Sequence, residues 1–189
     1  MKSSSFFPRK CPTAFRPCCI ERMEICLAPA GPAERDTLYR LLQYSLYEES
    51  AYDGNQIGED ALFPYSWFDA YFMGGPSREA WLIRFRDGGK LLGFAMVNTC
   101  LKNASSGHSI AEFMILPPYR RQGAGRAAAL ACFQTHSGTW EVSPAFGSDG
   151  AFRFWERTIC GYIGQSPRFE KDVFIFFRDS PLTNAANTL

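Results

Sequence analysis

The sequence predicts an α/β (α+β) fold, a single domain in which helices flank one mixed, twisted sheet. The chain has 189 residues, which is enough to bury a sizeable core. Its apolar residues follow the period of a strand in some segments and that of a helix in others. The predicted elements run in the order β-α-α-β-β-β-α-β-α-β without an internal repeat, and this order is typical of a mixed sheet.

The domain is expected to cover residues 23–180, between two segments that lack hydrophobic periodicity. Residues 1–22 are rich in Ser, Pro, Arg and Cys, and we predict a disordered leader there. Its prolines and arginines interrupt the apolar stretch that a secretion signal needs, and Met23 is an alternative start of the protein. Residues 181–189 are polar and are predicted to form a flexible tail.

The first predicted elements are a strand and a long helix. The strand covers residues 23–31, and a Gly-Pro pair then opens the helix, because proline is favoured in the first helical turn. One face of this helix collects, at helical spacing, Leu38, Leu41, Leu42, Ser45 and Leu46. Residues 52–65 are loop-like, and residues 66–75 are predicted to form a second, short helix that ends at two glycines.

A β-hairpin is the clearest prediction in the middle of the chain. Two apolar strands, residues 80–87 and 90–98, flank Gly88 and Gly89, a dipeptide suited to a tight reversal. Apolar and charged residues alternate at the end of the first strand, which predicts that one of its faces is more buried than the other.

The second half of the chain is predicted to alternate strands with helices. In order, we expect a loop at 101–108, a strand at 109–116, an alanine-rich helix at 126–136, a strand at 139–146, a helix at 149–162 and a last strand at 169–178. The strand at 109–116 carries Glu112 in a largely apolar setting.

Composition excludes several classes of protein. A net charge of +1 gives no reason to expect nucleic acid or an anionic membrane as a partner, and no apolar run approaches the length of about 20 residues that a membrane helix needs. Seven cysteines without a secretion signal favour free thiols and a cytoplasmic location. The spacing of the four cysteines nearest the N-terminus is not that of a zinc knuckle, and with only two histidines we predict no metal.

A glycine-containing turn between a strand and a helix carries the strongest chemical signal. A helix start has unpaired backbone N–H groups and a partial positive charge. Gly123 and Gly125 would let a bulky anion approach those groups, and Arg120, Arg121 and Arg126 add charge around the turn. A pyrophosphate fits this chemistry, whereas the alternative is a turn that only connects two elements.

Other nucleotide-binding motifs fit the turn less well. Residues 123–128 satisfy a loose G-x-G-x-x-G/A pattern, with Glu141 near the distance expected for a ribose-binding acid. The residues Pro-Pro-Tyr-Arg-Arg-Gln nevertheless separate the turn from its strand, and too little chain follows for a doubly wound dinucleotide domain. A Walker phosphate loop is excluded, because no Gly-Lys-Ser/Thr follows.

The turn and its surroundings resemble the GNAT superfamily of N-acetyltransferases. Residues 120–125, Arg-Arg-Gln-Gly-Ala-Gly, follow Ile-Leu-Pro-Pro-Tyr, and together they resemble the acetyl-CoA signature of that superfamily. The segment around "WEV" and "AFRFW" resembles its second motif, and the phrases "LLGFAMVN", "IAEFMIL" and "FWERTI" are similar to those of a bacterial group within it. The resemblance extends from Met23 to Arg178 and implies a GNAT fold with splayed fourth and fifth strands.

The resemblance implies acetyl-CoA as the co-substrate. The pantetheine arm would pair with the backbone of Phe113, Met114 and Ile115. The pyrophosphate would lie against the signature residues Arg120, Arg121, Gln122, Gly123, Ala124, Gly125 and Arg126. Ser148 stands where the family has an asparagine near the pantetheine, and Trp155 stands where it often has a proton-donating tyrosine.

The implied reaction is direct attack of a primary amine on the thioester in a ternary complex, which needs a base because alkylamines are protonated at neutral pH. Glu112 and Glu141 are the candidate bases, and the alternative for each is a structural pairing or a solvent-facing position. A backbone N–H near Met114 is expected to stabilise the thioester oxygen. Tyr162 and Tyr119 are candidate substitutes for the missing tyrosine.

The acceptor is expected to be a small-molecule amine or a protein amine. Its pocket would draw on aromatic and acidic residues of the helical region and loop before the hairpin, which are Tyr47, Tyr52, Tyr65, Trp67, Tyr71, Glu48, Glu49, Glu59 and Asp60. Because superfamily members often pair through their last strands, a homodimer is a further expectation. The alternative function is a CoA-binding sensor or interaction module with weak or no catalysis.

Overall fold

One seven-stranded sheet organises the part of the chain that the computed structural model describes, residues 24–86 and 89–179. The predicted leader, the start at Met23 and the tail at 181–189 lie outside these residues. The strands are β1 (Ile25–Pro29), β2 (Arg78–Phe85), β3 (Leu91–Asn98), β4 (His108–Ile115), β5 (Gly138–Val142), β6 (Arg168–Glu170) and β7 (Val173–Arg178). The helices are α1 (Arg35–Asp53), α2 (Ala124–Phe133) and α3 (Asp149–Ile163).

The sheet is mixed, as predicted, and it opens in its middle. The strand order is β1-β2-β3-β4-β5-β7-β6, and only the β4–β5 pair is parallel. That pair has a register of only three residues, from His108 opposite Trp140 to Ile110 opposite Val142. Beyond Ile110, β4 stays paired with β3 as far as Ile115 and separates from β5. The splay of the fourth and fifth strands is therefore present.

Helices cover both faces of the sheet. The apolar side of α1 packs on one face, against residues such as Leu82 and Phe94. Helices α2 and α3 pack on the other face, against residues such as Ile83 and Trp140. The prediction that one face of β2 is more buried than the other is wrong, because Leu82 and Ile83 point to opposite faces and are 1% and 0% exposed.

Helix α1 confirms the predicted apolar face. Its buried residues are Leu38, Leu41, Leu42, Ser45 and Leu46, the five that helical spacing places on one side. The helix continues to Asp53 and ends at Gly54, whose φ of 72° is a left-handed conformation that glycine adopts without strain.

Two predicted elements differ in the structure. Residues 66–75 form only a short 3₁₀ turn at Asp69–Tyr71, because Phe68 and Tyr71, three residues apart, both insert into the core beside α1. The predicted strand at 169–178 is two strands, β6 and β7, joined by a reversal at Lys171 and Asp172 with φ values of 49° and 62°. This Lys-Asp pair lacks the Asn-Gly signal of such turns.

Candidate active site

The splay between β4 and β5 opens into a cleft of about 790 Å³. Its walls come from α1, from the second half of β4, from the turn before α2 and from the start of α3. The predicted cofactor residues on its surface are Phe113, Met114, Ile115, Arg120, Arg121, Gly123, Gly125, Arg126, Ser148 and Trp155. These residues, numbered between 113 and 155, therefore meet here although they belong to β4, to α2 with the turn before it, and to α3 with its N-cap.

The open edge of β4 offers backbone groups to this cleft. Leu116 donates its N–H to Leu92 on β3 at 2.8 Å. Because hydrogen-bonding direction alternates along a strand, the backbone groups of Phe113 and Ile115 point away from β3, toward the gap. The Ile115 carbonyl accordingly accepts a bond from Arg120 Nε at 2.6 Å. Apart from this bond, no strand pairs with this part of β4, and an extended amide-containing chain can complete the edge.

The start of α2 supplies a second set of free backbone donors. Gly123 has a φ of 89°, and no side chain caps the helix. The first intrahelical bond runs from the Ala127 N–H to the Gly123 carbonyl, so the N–H groups of residues 123–126 have no intrahelical acceptor. These donors, with the helix dipole behind them, favour an anion at the mouth of the cleft.

Gly125 brings this helix start close to α3. A Cβ atom at residue 125 would lie 3.3 Å from the ring of Phe154, which is closer than ordinary packing, and 3.6 Å from Ile115, which is an ordinary contact. Both glycines of the predicted turn thus have a structural reason, one for its backbone conformation and one for close approach. The cradle and the open strand edge fit a pyrophosphate attached to a pantetheine arm.

The arginines around the turn have different environments. Arg120 is engaged by the protein, because its Nη2 lies 2.8 Å from both carboxylate oxygens of Glu48 on α1. Arg121, with a φ of 62°, and Arg126 are exposed and line the cleft, so their charge is available to an anion. The side chain of Gln122 bonds to the Pro118 carbonyl at 2.8 Å and stabilises the turn itself.

Ala124, Ser148 and Trp155 are placed by packing and capping. Ala124 is fully buried at the start of α2, so it can offer only its backbone. Ser148 caps α3 by accepting a bond from the Ala151 N–H at 3.2 Å. Trp155 packs edge-on against Phe113 at 5.1 Å and forms a wall of the cleft. Phe154 and Ala151, in the same motif as Trp155, also line the cleft.

Glu112 lies on the face of the sheet that α1 covers, in an environment that favours its neutral form. The pKa of Glu112 is raised to about 8, mainly by burial and also by the nearby Glu49 carboxylate, while a hydrogen bond with Tyr65 acts in the opposite direction. Burial also raises the pKa of Glu49, which lines the cleft. Glu49 lines the cleft, and Glu112 lies next to Glu49 just outside that lining. Two neighbouring carboxyl groups with raised pKa values therefore stand on this side of the cleft, where either can accept a proton at neutral to mildly alkaline pH.

Glu141 has a different environment. It is 1% exposed, and its carboxylate accepts bonds from the backbone N–H groups of Lys102, Asn103 and Ala104 at 2.7, 2.9 and 2.8 Å. It does not line the cleft. These bonds occupy both oxygens and hold the loop between β3 and β4, which is the structural alternative that the sequence left open, and Glu141 is not retained among the candidate bases.

The two candidate tyrosines do not line the cleft either. Tyr162 packs between Phe133 and Phe176, with ring centroids 5.5 and 6.3 Å away, and burial raises the pKa of its hydroxyl. Tyr119 packs edge-on against Phe85 at 5.7 Å. The structure therefore does not bring Tyr162 together with Glu112 at one site.

The residues predicted for the acceptor pocket separate into three groups. Tyr52 and Glu49 line the cleft, as does Glu48 in its pair with Arg120. Tyr65 and Tyr71 lie near Glu112 and Trp67 lies farther out, 66% exposed. The others are exposed away from the cleft and are Tyr47, Glu59 and Asp60.

Comparison with known proteins identifies the class of protein to which this fold and cleft belong. A family model described as the acetyltransferase (GNAT) family matches residues 42–162. The chain belongs to the GNAT acetyltransferase family, whose members generally use acetyl-CoA. A search of curated proteins found no match.

Solved structures show the same fold at low sequence identity. A protein of Corynebacterium glutamicum, described as histone acetyltransferase HPA2 and related acetyltransferase, has a TM-score of 0.58 and 11% identity, with 85% of this chain and 99% of that one covered. A GNAT-family protein from Desulfovibrio desulfuricans has a TM-score of 0.54 and 14% identity, with coverages of 81% and 98%. Bacillus subtilis YycN has a TM-score of 0.53 and 18% identity, with coverages of 71% and 90%.

Within residues 24–86 and 89–179, no group of three or more His, Cys, Asp or Glu side chains is arranged to hold a metal ion. No helix in the same part of the chain has both the length and the apolarity needed to cross a bilayer.

Proposed function

We propose that the protein is an N-acetyltransferase that moves the acetyl group of acetyl-CoA to a primary amine by direct attack in a ternary complex. The observation that carries this proposal is the junction of two backbone surfaces in one cleft. The open edge of β4 and the uncapped start of α2 both face it, and together they match an amide-containing arm that ends in a pyrophosphate.

The co-substrate would be held mainly by backbone. The N–H groups of residues 123–126, with Arg121 and Arg126 beside them, would bind the pyrophosphate, and the backbone of Phe113 and Ile115 would pair with the pantetheine amides. Ser148 offers little to that arm, because its hydroxyl caps α3. When bound, acetyl-CoA supplies an acetyl group that its thioester activates.

Glu112 is the proposed base. An amine nitrogen must lose its proton before or as it forms a bond to the acetyl carbon, and the carbon–sulfur bond then breaks. A carboxylate with a pKa of about 8 is well matched to that task near neutral pH, whereas one with the usual value of a glutamate is a weaker base. Glu49 is the second carboxylate at this place and helps to attract the cationic amine.

The thiolate leaves without a tyrosine. Trp155 occupies the position where the family often has one, and neither Tyr162 nor Tyr119 lines the cleft. A thiol with a pKa near 8.5 is a good leaving group, so protonation from water is sufficient. The indole of Trp155 and the ring of Phe113 form the apolar wall beside which this sulfur would lie.

Two measurements test the proposal. Calorimetry should show that acetyl-CoA and CoA bind, while NAD should give no heat and no rise in melting temperature. Thiol release from acetyl-CoA should then appear with some member of a panel of polyamines, aminoglycosides, amino acids and lysine peptides. Absence of acetyl-CoA binding would refute the proposal at its first step.

The second candidate function is a CoA-binding module without turnover. It is favoured by two departures from the family pattern, Trp155 in the place of a tyrosine and Ser148 in the place of an asparagine. The same experiments separate the two functions, because a module would bind acetyl-CoA and release no thiol with any amine. The cytoplasmic location and the homodimer stay predictions.

A further inference from the structure

A row of polar side chains leads from the cleft to the surface on the face of the sheet that α1 covers. It begins at Glu49 and Glu112, continues through Tyr65 and Tyr71, and ends at Arg78 on the first residue of β2. The proposed function uses only the acidic end. The basic end has no role in binding acetyl-CoA, because Arg78 is not in the cleft lining.

Strand alternation places Arg78 on the same face as Glu112. Ala80 and Leu82 pack in the cluster under α1, so Arg78, two residues earlier, projects to that face. Its neighbour Glu79 points to the opposite face, where it pairs with His136 at 2.9 Å. In the register of the sheet, Arg78 pairs with Asn98, and Glu112 pairs with Met96, two residues before Asn98.

The guanidinium of Arg78 is held in place but is not neutralised. Its Cζ lies 5.5 Å from the ring centre of Trp67 and 5.9 Å from that of Tyr71. Among the residues that the structure describes, its only hydrogen bond is a long one of 3.6 Å to the sulfur of Cys100, and its buried Nε has no partner there. No carboxylate in residues 24–86 or 89–179 pairs with it. By contrast, Arg35 pairs with two carboxylates and Arg120 pairs with one.

A buried donor without an acceptor is costly in a native protein, and each such group needs an explanation. A positively charged fork, flanked by two aromatic rings and left without an anion, is the arrangement that binds a carboxylate from outside. The 66% exposure of Trp67 shows that this end of the row is accessible from solvent.

Tyr71 connects the two charged ends. Its hydroxyl accepts a bond from Asn98 Nδ2 at 3.0 Å, which fixes the ring. The pKa of Tyr71 is raised by burial and by Glu112 and is lowered by Asn98 and Arg78, so the hydroxyl lies within reach of both charges. Two strand spacings of about 4.8 Å and one two-residue step of about 6.6 Å put the Cα atoms of Arg78 and Glu112 about 12 Å apart. Both side chains rise from the same face of the sheet, and each is long enough to lean toward the other across part of this span.

We infer that the acceptor is a small amino acid or a related zwitterion, whose carboxylate binds Arg78 and whose amine faces Glu112. This inference rests on the proposed function, and it names the substrate class of that same site. The amine belongs at the acidic end, next to the thioester, and the anion belongs at the basic end, near solvent. A protein lysine carries no carboxylate next to its amine and leaves Arg78 without a partner.

Matched acceptors test the inference in the full-length protein. Thiol release from acetyl-CoA is measured with the common amino acids, with β-alanine and γ-aminobutyrate, and with the amides and decarboxylated amines of the same compounds. We expect the carboxylate-bearing acceptors to have the higher kcat/KM by at least tenfold. A decarboxylated amine or a lysine peptide as the best acceptor would overturn the inference and leave the proposed function intact.

Variants then assign the effect to Arg78. Arg78→Gln should raise KM at least tenfold for the preferred amino acid and leave its decarboxylated amine and acetyl-CoA unchanged. Arg86→Gln, on an exposed arginine paired with Glu24 at 3.5 Å, is the matched control and should change nothing. An equal rise in KM for the amino acid and for its decarboxylated amine would contradict the inference. If Arg78→Gln does not fold, Arg78→Lys, which keeps the charge but not the planar fork, repeats the comparison.

Binding separates this inference from the proposed function. If the wild-type protein releases no thiol with any acceptor, calorimetry of the common amino acids, β-alanine and γ-aminobutyrate with the CoA-loaded protein decides the matter. Heat that Arg78→Gln abolishes would support an amino-acid site in a protein without turnover. No heat with any amino acid would overturn the inference.

Discussion

Glu112 and Glu141 show how strongly the surroundings of a residue decide its role. Both are glutamates within strands of the same sheet, and sequence reasoning treats them alike. Glu141 has three backbone N–H donors on its carboxylate, which stabilise the ionised form and use up its acceptors. Glu112 has another carboxyl group and burial around it, which favour the proton. Only Glu112 is therefore suited to exchange a proton with a substrate.

Glu112→Gln is expected to lower kcat by about 10²–10⁴-fold, the usual contribution of a general base. The KM for acetyl-CoA should not change, because Glu112 does not line the cleft. In the wild type, kcat/KM should rise with pH through the ionisation near pH 8, and this limb should disappear in the variant. Glu59→Gln, on an exposed loop, serves as the control, and a variant Glu112→Gln with full activity would remove Glu112 from the mechanism.

Glu141→Ala is expected to act on stability instead. The substitution leaves three backbone N–H groups of residues 102–104 without their acceptor, at a cost of about 2–4 kcal/mol in the free energy of unfolding. Urea unfolding measures this value, with Glu156→Ala on the exposed side of α3 as a control that should stay within about 0.5 kcal/mol. Unchanged stability together with a large loss of kcat would return Glu141 to the catalytic candidates.

At the scale of an element, the start of α2 combines conformation and binding. Gly123 precedes α2 and Gly164 follows α3. Both glycines have left-handed backbone conformations, with φ values of 89° and 73°. In neither case would a Cβ atom meet another group within 4 Å. Strain from a substitution is therefore the same at the two positions, but only Gly123 belongs to the proposed anion cradle.

Gly123→Ala and Gly164→Ala are expected to lower stability by a similar amount, about 1–2 kcal/mol, because an L-residue is strained in that conformation. Only Gly123→Ala should weaken the binding of acetyl-CoA, with a Kd at least tenfold higher, since a shift of this turn moves the N–H donors. Thermal melting gives the first quantity and calorimetry the second. Equal affinity in both variants would show that the cradle does not bind the pyrophosphate.

At the scale of the whole molecule, the cleft lies where β4 and β5 separate between the helices that cover the two faces of the sheet. Helix α1 covers β2 to β4 on one face, and α2 and α3 cover the other. The gap between β4 and β5 lies between these layers. The carboxyl groups of Glu49 and Glu112 are largely buried there, and no cation within residues 24–86 and 89–179 is paired with either of them. Tyr65 and Tyr71 are the other titratable groups that act on Glu112 or are affected by it.

Stability is expected to fall as the pH rises from about 4.5 to about 8 at this site. Because the folded protein holds the Glu112 proton more tightly than the unfolded chain does, the contribution is full below the unfolded pKa and is lost as the pH passes the folded one. Each pH unit in this window lowers the free energy of unfolding by at most about 1.4 kcal/mol. Melting curves of the wild type and Glu112→Gln test this. As the pH rises, the melting temperature of the wild type should fall relative to that of the variant. A constant difference would contradict the raised pKa.

The sequence by itself determined the features that depend only on residues close together in the chain. The period of the apolar residues determined the buried face of α1, and two strands around a glycine pair determined the hairpin. The turn before α2 was predictable for the same reason, because its glycines and arginines act where they stand in the chain. The family followed from these same residues.

Only the tertiary structure decided which side chains meet. Nothing local distinguishes Glu112 from Glu141, since the difference comes from Glu49 on a distant helix and from a loop between two strands. Arg78 was not singled out at all, because its unpaired guanidinium becomes visible only when β2 is set beside β3 and β4. Charge and hydrogen-bonding depend on distances in space, and the fold sets those distances across long stretches of chain.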